Sequence, residues 1–481
     1  MSPNSILITF IVYTILLLLI SWLTSRKANN ESFFIGNRQS PWFVVAYGMI
    51  GASLSGVTFI SIPGDVGSSF STYMMIVFGY LVGYAVIAEV LLPLYYRLKL
   101  TSIYTFLEQR LGFWSYKTGA FYFILSRVIG ASFRMFLVVN VMQLFVFNEW
   151  GVPFWVTVIA FIILMVLYTY RGGIKTIVWT DTLQTTFMLA TVVVSIVLLG
   201  KEMNLGAGEM IKTIAESKYS TVLIAEWEHR YFFLKQFISG AFIAIVMTGL
   251  DQDMMQKNLS CRNLKDAKKN IYSMSFALIP MNILILSLGV LLYVYAEANG
   301  IHVPETTDDL FPLIALKYLG SFAGIVFLIG LISAAYSSAD SALTSLTTSF
   351  SIDFLRLDKN EKLTEKQKIN LRQLIHIGVA TTVTIVIIVF NAINDSSVIS
   401  KLFTIAGYTY GPLLGMFTFG IYTKRNLNDK FVPLIAILSP VICYIISSNS
   451  STWFYGYEFG FELLLLNGLF VFLGLMIISR K

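Results

Sequence analysis

The sequence predicts an all-α membrane protein of about 13 transmembrane helices. Three observations carry this expectation. Of 481 residues, 56% are hydrophobic and only 13% are charged, with a mean hydropathy of +0.73; a water-soluble domain carries roughly 25% charged residues. Apolar runs near the ~20 residues that cross ~30 Å of hydrocarbon as a helix recur from one end of the chain to the other. Between them the basic residues fall on alternate sides, as a bilayer requires.

The first run covers 6–23. No A-x-A cleavage site follows it, and the basic pair Arg26 and Lys27 comes after it. That order predicts a retained helix with its N-terminus outside, in place of a cleaved signal. Ten runs follow, at 41–66, 74–96, 118–146, 153–170, 177–200, 233–252, 272–296, 321–350, 374–392 and 400–422. Two more, at 431–448 and 459–479, close the chain. With the N-terminus outside, the cytoplasmic segments are 24–40, 97–117, 171–176, 253–271, 351–373, 423–430 and 480–481. These hold 25 of the 34 Lys and Arg. Seven lie outside (Lys201, Lys212, Lys218, Arg230, Lys235, Lys317 and Lys401), and Arg127 and Arg134 fall within spans. The expected address is the cell (inner or plasma) membrane, with a cytoplasmic C-terminus. The outside stretches 201–232 and 310–319 are expected to carry short surface helices.

Composition also excludes. The net charge of +7 is the positive-inside bias and does not call for nucleic acid. Cys261 and Cys443 form no CxxC pair, and His229, His302 and His376 make no metal-ligand spacing. A Walker A motif is absent, so ATP does not drive this chain alone. Neither a nucleophile–base pair nor a metal cluster argues for an enzyme.

Three places break the rule that a span is apolar and regular. The first is the run from Gly48 through Gly51, Ser53, Ser55, Gly56 and Thr58 to Pro63 and Gly64. Glycine eases unwinding, and an unwound turn frees carbonyls to replace the hydration shell of a small cation. Close helix packing through small residues is the alternative. The second is Ala334, Ser337, Ser338 and Ser341, spaced i, i+3, i+4, i+7 and so on one helical face, with Asp340 beside it. Hard cations take oxygen ligands; here too a packing seam is the alternative. The third is intramembrane charge at Arg127, Arg134, Asp181 and Asp340, each worth roughly 2.5–3.5 kcal/mol against insertion at a helix centre. Asp181 also has the simpler reading of a charge favoured near a helix N-terminus.

These residues resemble the sodium:solute symporter family. The matching stretches are 54–63 (LSGVTFISIP), 91–102 (LLPLYYRLKLTS), 168–184 (YTYRGGIKTIVWTDTLQ), 252–269 (QDMMQKNLSCRNLKDAKK) and 334–349. The resemblance implies an inverted repeat of five plus five helices, of the leucine-transporter type. Residues 40–200 would form the first repeat and 233–423 the second, with an extra N-terminal helix in 1–25 and two C-terminal helices in 431–481. It implies a main Na+ site on carbonyls of Gly51, Leu54 and Ala334 and hydroxyls of Ser337 and Ser338. Within the family the chain is most similar to the sialic acid branch. That likeness implies a carboxylate-binding arginine at Arg134, with Ser55 and Thr58 as hydroxyl partners. It also implies a second Na+ site at Asp181, Ser337 and Ser341, where Asp340 replaces an expected serine.

The expected function is Na+-coupled import of a small organic solute by alternating access, with two Na+ per solute. A carboxylate such as sialic acid is the first expectation and a neutral sugar (glucose- or inositol-like) the second. A transporter-like sensor or channel is the rival from another class; a sensor would be expected to carry a signalling domain, which this chain lacks. The partners expected are the solute, the sodium ion and the lipid bilayer, with the monomer as working unit.

Overall fold

Helices occupy every segment in which the hydropathy pattern calls for one. The computed structural model describes residues 3–25, 29–170, 172–393, 398–454, 456–457 and 459–480. Arg26, Lys27, Arg171 and Lys481 of the topology argument lie outside the described residues, as does the side chain of Lys401.

The chain runs through α1 (Pro3–Ser25), α2 (Trp42–Leu54), α3 (Gly56–Ser69), α4 (Tyr73–Arg97), α5 (Phe113–Met142), α6 (Phe154–Thr169) and α7 (Ile174–Glu202). It continues through α8 (Phe233–Gly249), α9 (Gln252–Leu259), α10 (Leu264–Ala298), α11 (Gly320–Phe354) and α12 (Glu365–Ile393). The last three are α13 (Val398–Tyr422), α14 (Val432–Ser448) and α15 (Leu463–Ile477). By length and apolarity the described residues give 8 membrane-crossing helices, or 10 when the bent pairs α2–α3 and α8–α9 each count as one span. The remaining expected segments carry α6 and α15, apolar but only 16 and 15 residues long, and α13, which adjoins the undescribed stretch 394–397.

Side-chain size decides which helix is central. Glycine, alanine, serine and threonine fill much of α11, and such residues let backbones approach closely. Within α11, 78% of the apolar window is buried, against 28% for α1 and 22% for the span that ends in α14. Around α11 pack α5, α7, α9 and α2–α3. A Cβ on Gly330 would meet Thr191 Oγ1 of α7 at 2.4 Å. Outside the bundle, Ala207–Glu216 forms the expected surface helix and has no buried residue. The stretch 310–319 is tucked in: Leu310, Phe311 and Ile314 are fully buried.

One topology assignment is corrected. Segment 253–271 reads as a cytoplasmic loop, yet its start belongs to α9, whose eight residues are all buried. The seventh run therefore continues through a 65° bend at Leu250 and Asp251. Asp251 restarts the helix by accepting hydrogen bonds from the N–H groups of Asp253 and Met254 at 2.9 and 3.3 Å. Lys257 lies inside the protein, and its charge says nothing about which side a loop faces.

Candidate functional site: a broken helix beside a buried charge layer

The first broken span turns at one residue. Ser55 has φ 16° and ψ 172°, so the helical ladder cannot pass through it, and α2 and α3 diverge by 48°. Ser55 donates its N–H to the Gly51 carbonyl at 3.0 Å and accepts from Phe59 N–H at 3.0 Å. The last carbonyls of α2, Leu54 among them, face a helix end where no next turn follows. The glycine-rich run contains both a helix break and a close packing contact, at different residues. Gly51 serves packing, since a Cβ there would lie 2.1 Å from Thr185 Oγ1 of α7. Ser55 and Gly56 serve the break.

Against that break runs the hydroxyl face of α11. A Cβ on Gly56 would sit 3.7 Å from Ala335 Cα and 3.6 Å from the Arg134 carbonyl oxygen. Ser338 donates to the Ala334 carbonyl at 3.5 Å, and Ser337 donates to Asp181 Oδ1 at 3.0 Å. Both hydroxyl protons are thus committed, which leaves oxygen lone pairs, the groups a hard cation takes.

Beneath lies a layer of buried charge that sequence reasoning only half anticipated. Asp181 Oδ2 pairs with Lys257 Nζ at 2.7 Å, and each side chain is 1% exposed. Asp340 accepts from Tyr168 Oη at 2.9 Å and from Ser341 N–H at 2.5 Å. The Ser341 hydroxyl donates to Asp253, away from Asp340. Arg127 pairs with Asp253 and stands 3.8 Å from Asp251, which in turn accepts from Tyr410 Oη at 2.5 Å. Lys257, Asp251, Asp253, Tyr168 and Tyr410 were not singled out from the sequence. A signal existed for the acids: an aspartate two residues after Gly249 begins a second short helix, as a cap does.

The three expected solute residues line one cavity. Ser55, Thr58 and Arg134 share it with Tyr84, Arg127 and Thr248, around a volume of ≈ 80 Å³. Arg134 is 8% exposed. Its Nε has no hydrogen-bond partner, and among the described residues no carboxylate lies within 4.0 Å of it. Arg127, two turns away on the same helix, is neutralised by two aspartates; Arg134 is not.

Two helices broken in mid-span, with carbonyls, hydroxyls and charges gathered between them, define a secondary transporter. Comparison with known proteins makes the class specific. Residues 33–430 match the model of the sodium:solute symporter family. The sodium/sialic acid symporter of Proteus mirabilis (strain HI4320) is 25% identical over 446 residues, spanning 90% of this chain and 88% of that protein. That of Aliivibrio fischeri (strain ATCC 700601 / ES114) is 22% identical over 444 residues, spanning 90% and 86%. A solved Na+-coupled sialic acid symporter, in a substrate-bound outward-open state, superposes with a TM-score of 0.82 over 99% of both chains at 20% identity. The chain belongs to the sodium:solute symporter family: it is a multi-pass membrane transporter, and Na+ is its coupling ion.

Proposed function

We propose that this symporter imports a small organic carboxylate, with sialic acid as the first candidate, by alternating access. One observation carries the anionic reading. Arg134 is a buried guanidinium open to a cavity and lacking a counter-ion. Its planar fork matches a carboxylate in two parallel hydrogen bonds, with Ser55 and Thr58 as further polar contacts on the same wall. A neutral sugar would leave that cation uncompensated. The sialic acid symporters among the relatives favour a sugar acid over a simple one.

The main Na+ is held by carbonyls of Gly51, Leu54 and Ala334 and hydroxyls of Ser337 and Ser338. A second Na+ is held near Asp181, Asp340 and Ser341, where Lys257 pairs with Asp181 and Asp340 is held by Tyr168 and the Ser341 N–H. Residues 40–200 and 233–423 act as two inverted five-helix units. In support, each opens on its broken span, α2–α3 and α8–α9. The helices 1–25 and 431–481 are peripheral, the N-terminus faces outside, the C-terminus faces the cytoplasm, and the monomer transports. The test is Na+-driven uptake into proteoliposomes with a panel of sialic acids, hexoses, inositol, pantothenate and proline. Uptake of a carboxylate that needs Arg134 supports the proposal; uptake of hexose or inositol alone overturns it.

A further inference from the structure

A second cavity lies away from the transport path, on the membrane-facing side. It is a groove of ≈ 320 Å³ between α5, α11 and α12, lined by Ile124, Val128, Leu346, Phe350, Val379 and Thr382 among others. The Thr382 hydroxyl donates to the Gly378 carbonyl of its own helix at 3.0 Å, so the wall offers no free donor. Gly378 forms part of this wall, and a Cβ there would meet nothing within 4 Å. Around the groove Leu374 and Ile377 are exposed, as expected of a surface turned to hydrocarbon.

At one end the groove runs into cationic side chains. Phe350 stacks on Phe354 with ring centroids 5.5 Å apart, and Lys117 Nζ lies 5.1 Å from the Phe354 centroid. Lys117 is two turns before Ile124 on α5, on the same face. The Lys117 ammonium donates to the Asp353 carbonyl, which leaves it two further N–H donors. Arg356 stacks beside Phe113, 5.9 Å from its centroid. Glu108 pairs with Arg356, but that arginine's side chain remains 43% exposed. These cations stand at the end where the Lys- and Arg-rich segment 351–373 leaves the bundle.

We propose that this groove is a binding site for one anionic phospholipid. One acyl chain fills the space between α5, α11 and α12, and the phosphate sits at Lys117 and Arg356. A basic pocket between transmembrane helices is the arrangement that recognises anionic headgroups, and the wall that continues from it is apolar for the chain. The site matters for transport because of what it wedges apart. Val128 lies six residues before Arg134, and Leu346 eight after Ser338. A bound chain therefore touches both the helix that carries the solute arginine and the helix that carries the ion hydroxyls.

The experiment uses the full chain, delipidated in detergent and titrated with phosphatidylglycerol or phosphatidylcholine of matched acyl chains, with bound lipid counted by native mass spectrometry. The wild type is expected to hold one phosphatidylglycerol in preference to phosphatidylcholine. Lys117→Gln and Arg356→Gln should each weaken that preference about fivefold, the worth of one cation at an anionic surface. Gly378→Phe, built into open space, should remove the bound lipid while the protein stays monodisperse. Equal retention of both lipids by the wild type overturns the proposal, as does full phosphatidylglycerol retention by Gly378→Phe. So does conversion of a dimer to a monomer by Gly378→Phe, which would make the groove an interface between copies.

Discussion

Replacing Arg134 by glutamine should move two observables in opposite directions. The Arg134 guanidinium is buried, 8% exposed, with no carboxylate within 4.0 Å among the described residues. A buried ion without a partner carries a desolvation penalty of several kcal/mol. Arg134→Gln removes that penalty, so the unfolding midpoint should hold or rise. Solute affinity should collapse. Two charge-assisted hydrogen bonds, each about 1.5–3 kcal/mol, add to about 3–6 kcal/mol, or roughly two to four decades in Kd. Arg134→Lys keeps the charge but loses the fork, so about half of that should go. Arg127→Gln is the control. It strands Asp251 and Asp253 beside each other and should destabilise by about 3–5 kcal/mol, as removal of one partner of a buried pair does. Thermal unfolding in detergent, followed by tryptophan fluorescence, reads the first effect, and Na+-driven uptake reads the second. If Arg134→Gln unfolds as early as Arg127→Gln, the arginine is structural. If both Arg134→Gln and Arg134→Lys transport at full rate, no carboxylate clamp exists and the neutral sugar takes its place.

Three other outcomes are expected. Ser337→Ala with Ser338→Ala removes two candidate ligand oxygens, so Na+ affinity in uptake assays should fall at least several-fold, with solute affinity following only through coupling; an unchanged Na+ dependence refutes the main site. Lys257→Met should destabilise by about 3–5 kcal/mol because it leaves Asp181 alone in the interior, and adding Asp181→Asn should restore most of the loss; additive penalties in that double-mutant cycle would show the two groups to be uncoupled. Reversal potentials should give two Na+ per anion in the wild type and one in Asp181→Asn, whose layer has lost one negative charge, with the Na+ Hill coefficient falling towards one; a single Na+ in both leaves the second site without support.

Much of this fold is legible because the bilayer, not another part of the chain, covers most apolar surface. A run of ~20 apolar residues therefore declares itself without knowledge of its neighbours. The break at Ser55 was half legible for the same local reason: glycines and hydroxyls in mid-span signal either a break or a packing seam, and the run holds one of each, with Gly51 packed on Thr185 and the break at Ser55. The break at Asp251 was not. Residues 251–258 (DQDMMQKN) look like a loop because their compensation is distant: Asp181 lies 76 residues from Lys257, and Tyr410 lies 159 from Asp251. A polar helix buried among other charges carries no hydropathy signal at all. The Ala334–Ser341 face was found from spacing alone, yet spacing could not say that Ser341 would turn to Asp253 and leave Asp340 to Tyr168.

The charge layer and the energetics of transport meet in one number. In the layer beside the broken helices, Asp181, Asp251, Asp253 and Asp340 stand against Arg127, Arg134 and Lys257, all buried, a formal charge of −1 with every one of these groups ionised. Uncompensated charge in the interior is expensive, so the loaded carrier favours whatever cargo brings that sum to zero. A neutral solute does so with one Na+; a monovalent anion needs two. The driving forces select the same pair. One Na+ entering down a tenfold gradient and 100 mV releases about 3.7 kcal/mol, of which an anion moving against the potential consumes about 2.3. With one Na+ only about 1.4 kcal/mol remains, a tenfold accumulation. With two, about 5.1 kcal/mol remains, enough for several-thousand-fold. On the proposed function, the unpaired arginine in the cavity calls for an anion, the anion calls for a second cation, and the carboxylates of Asp181 and Asp340 are the candidate place to hold it.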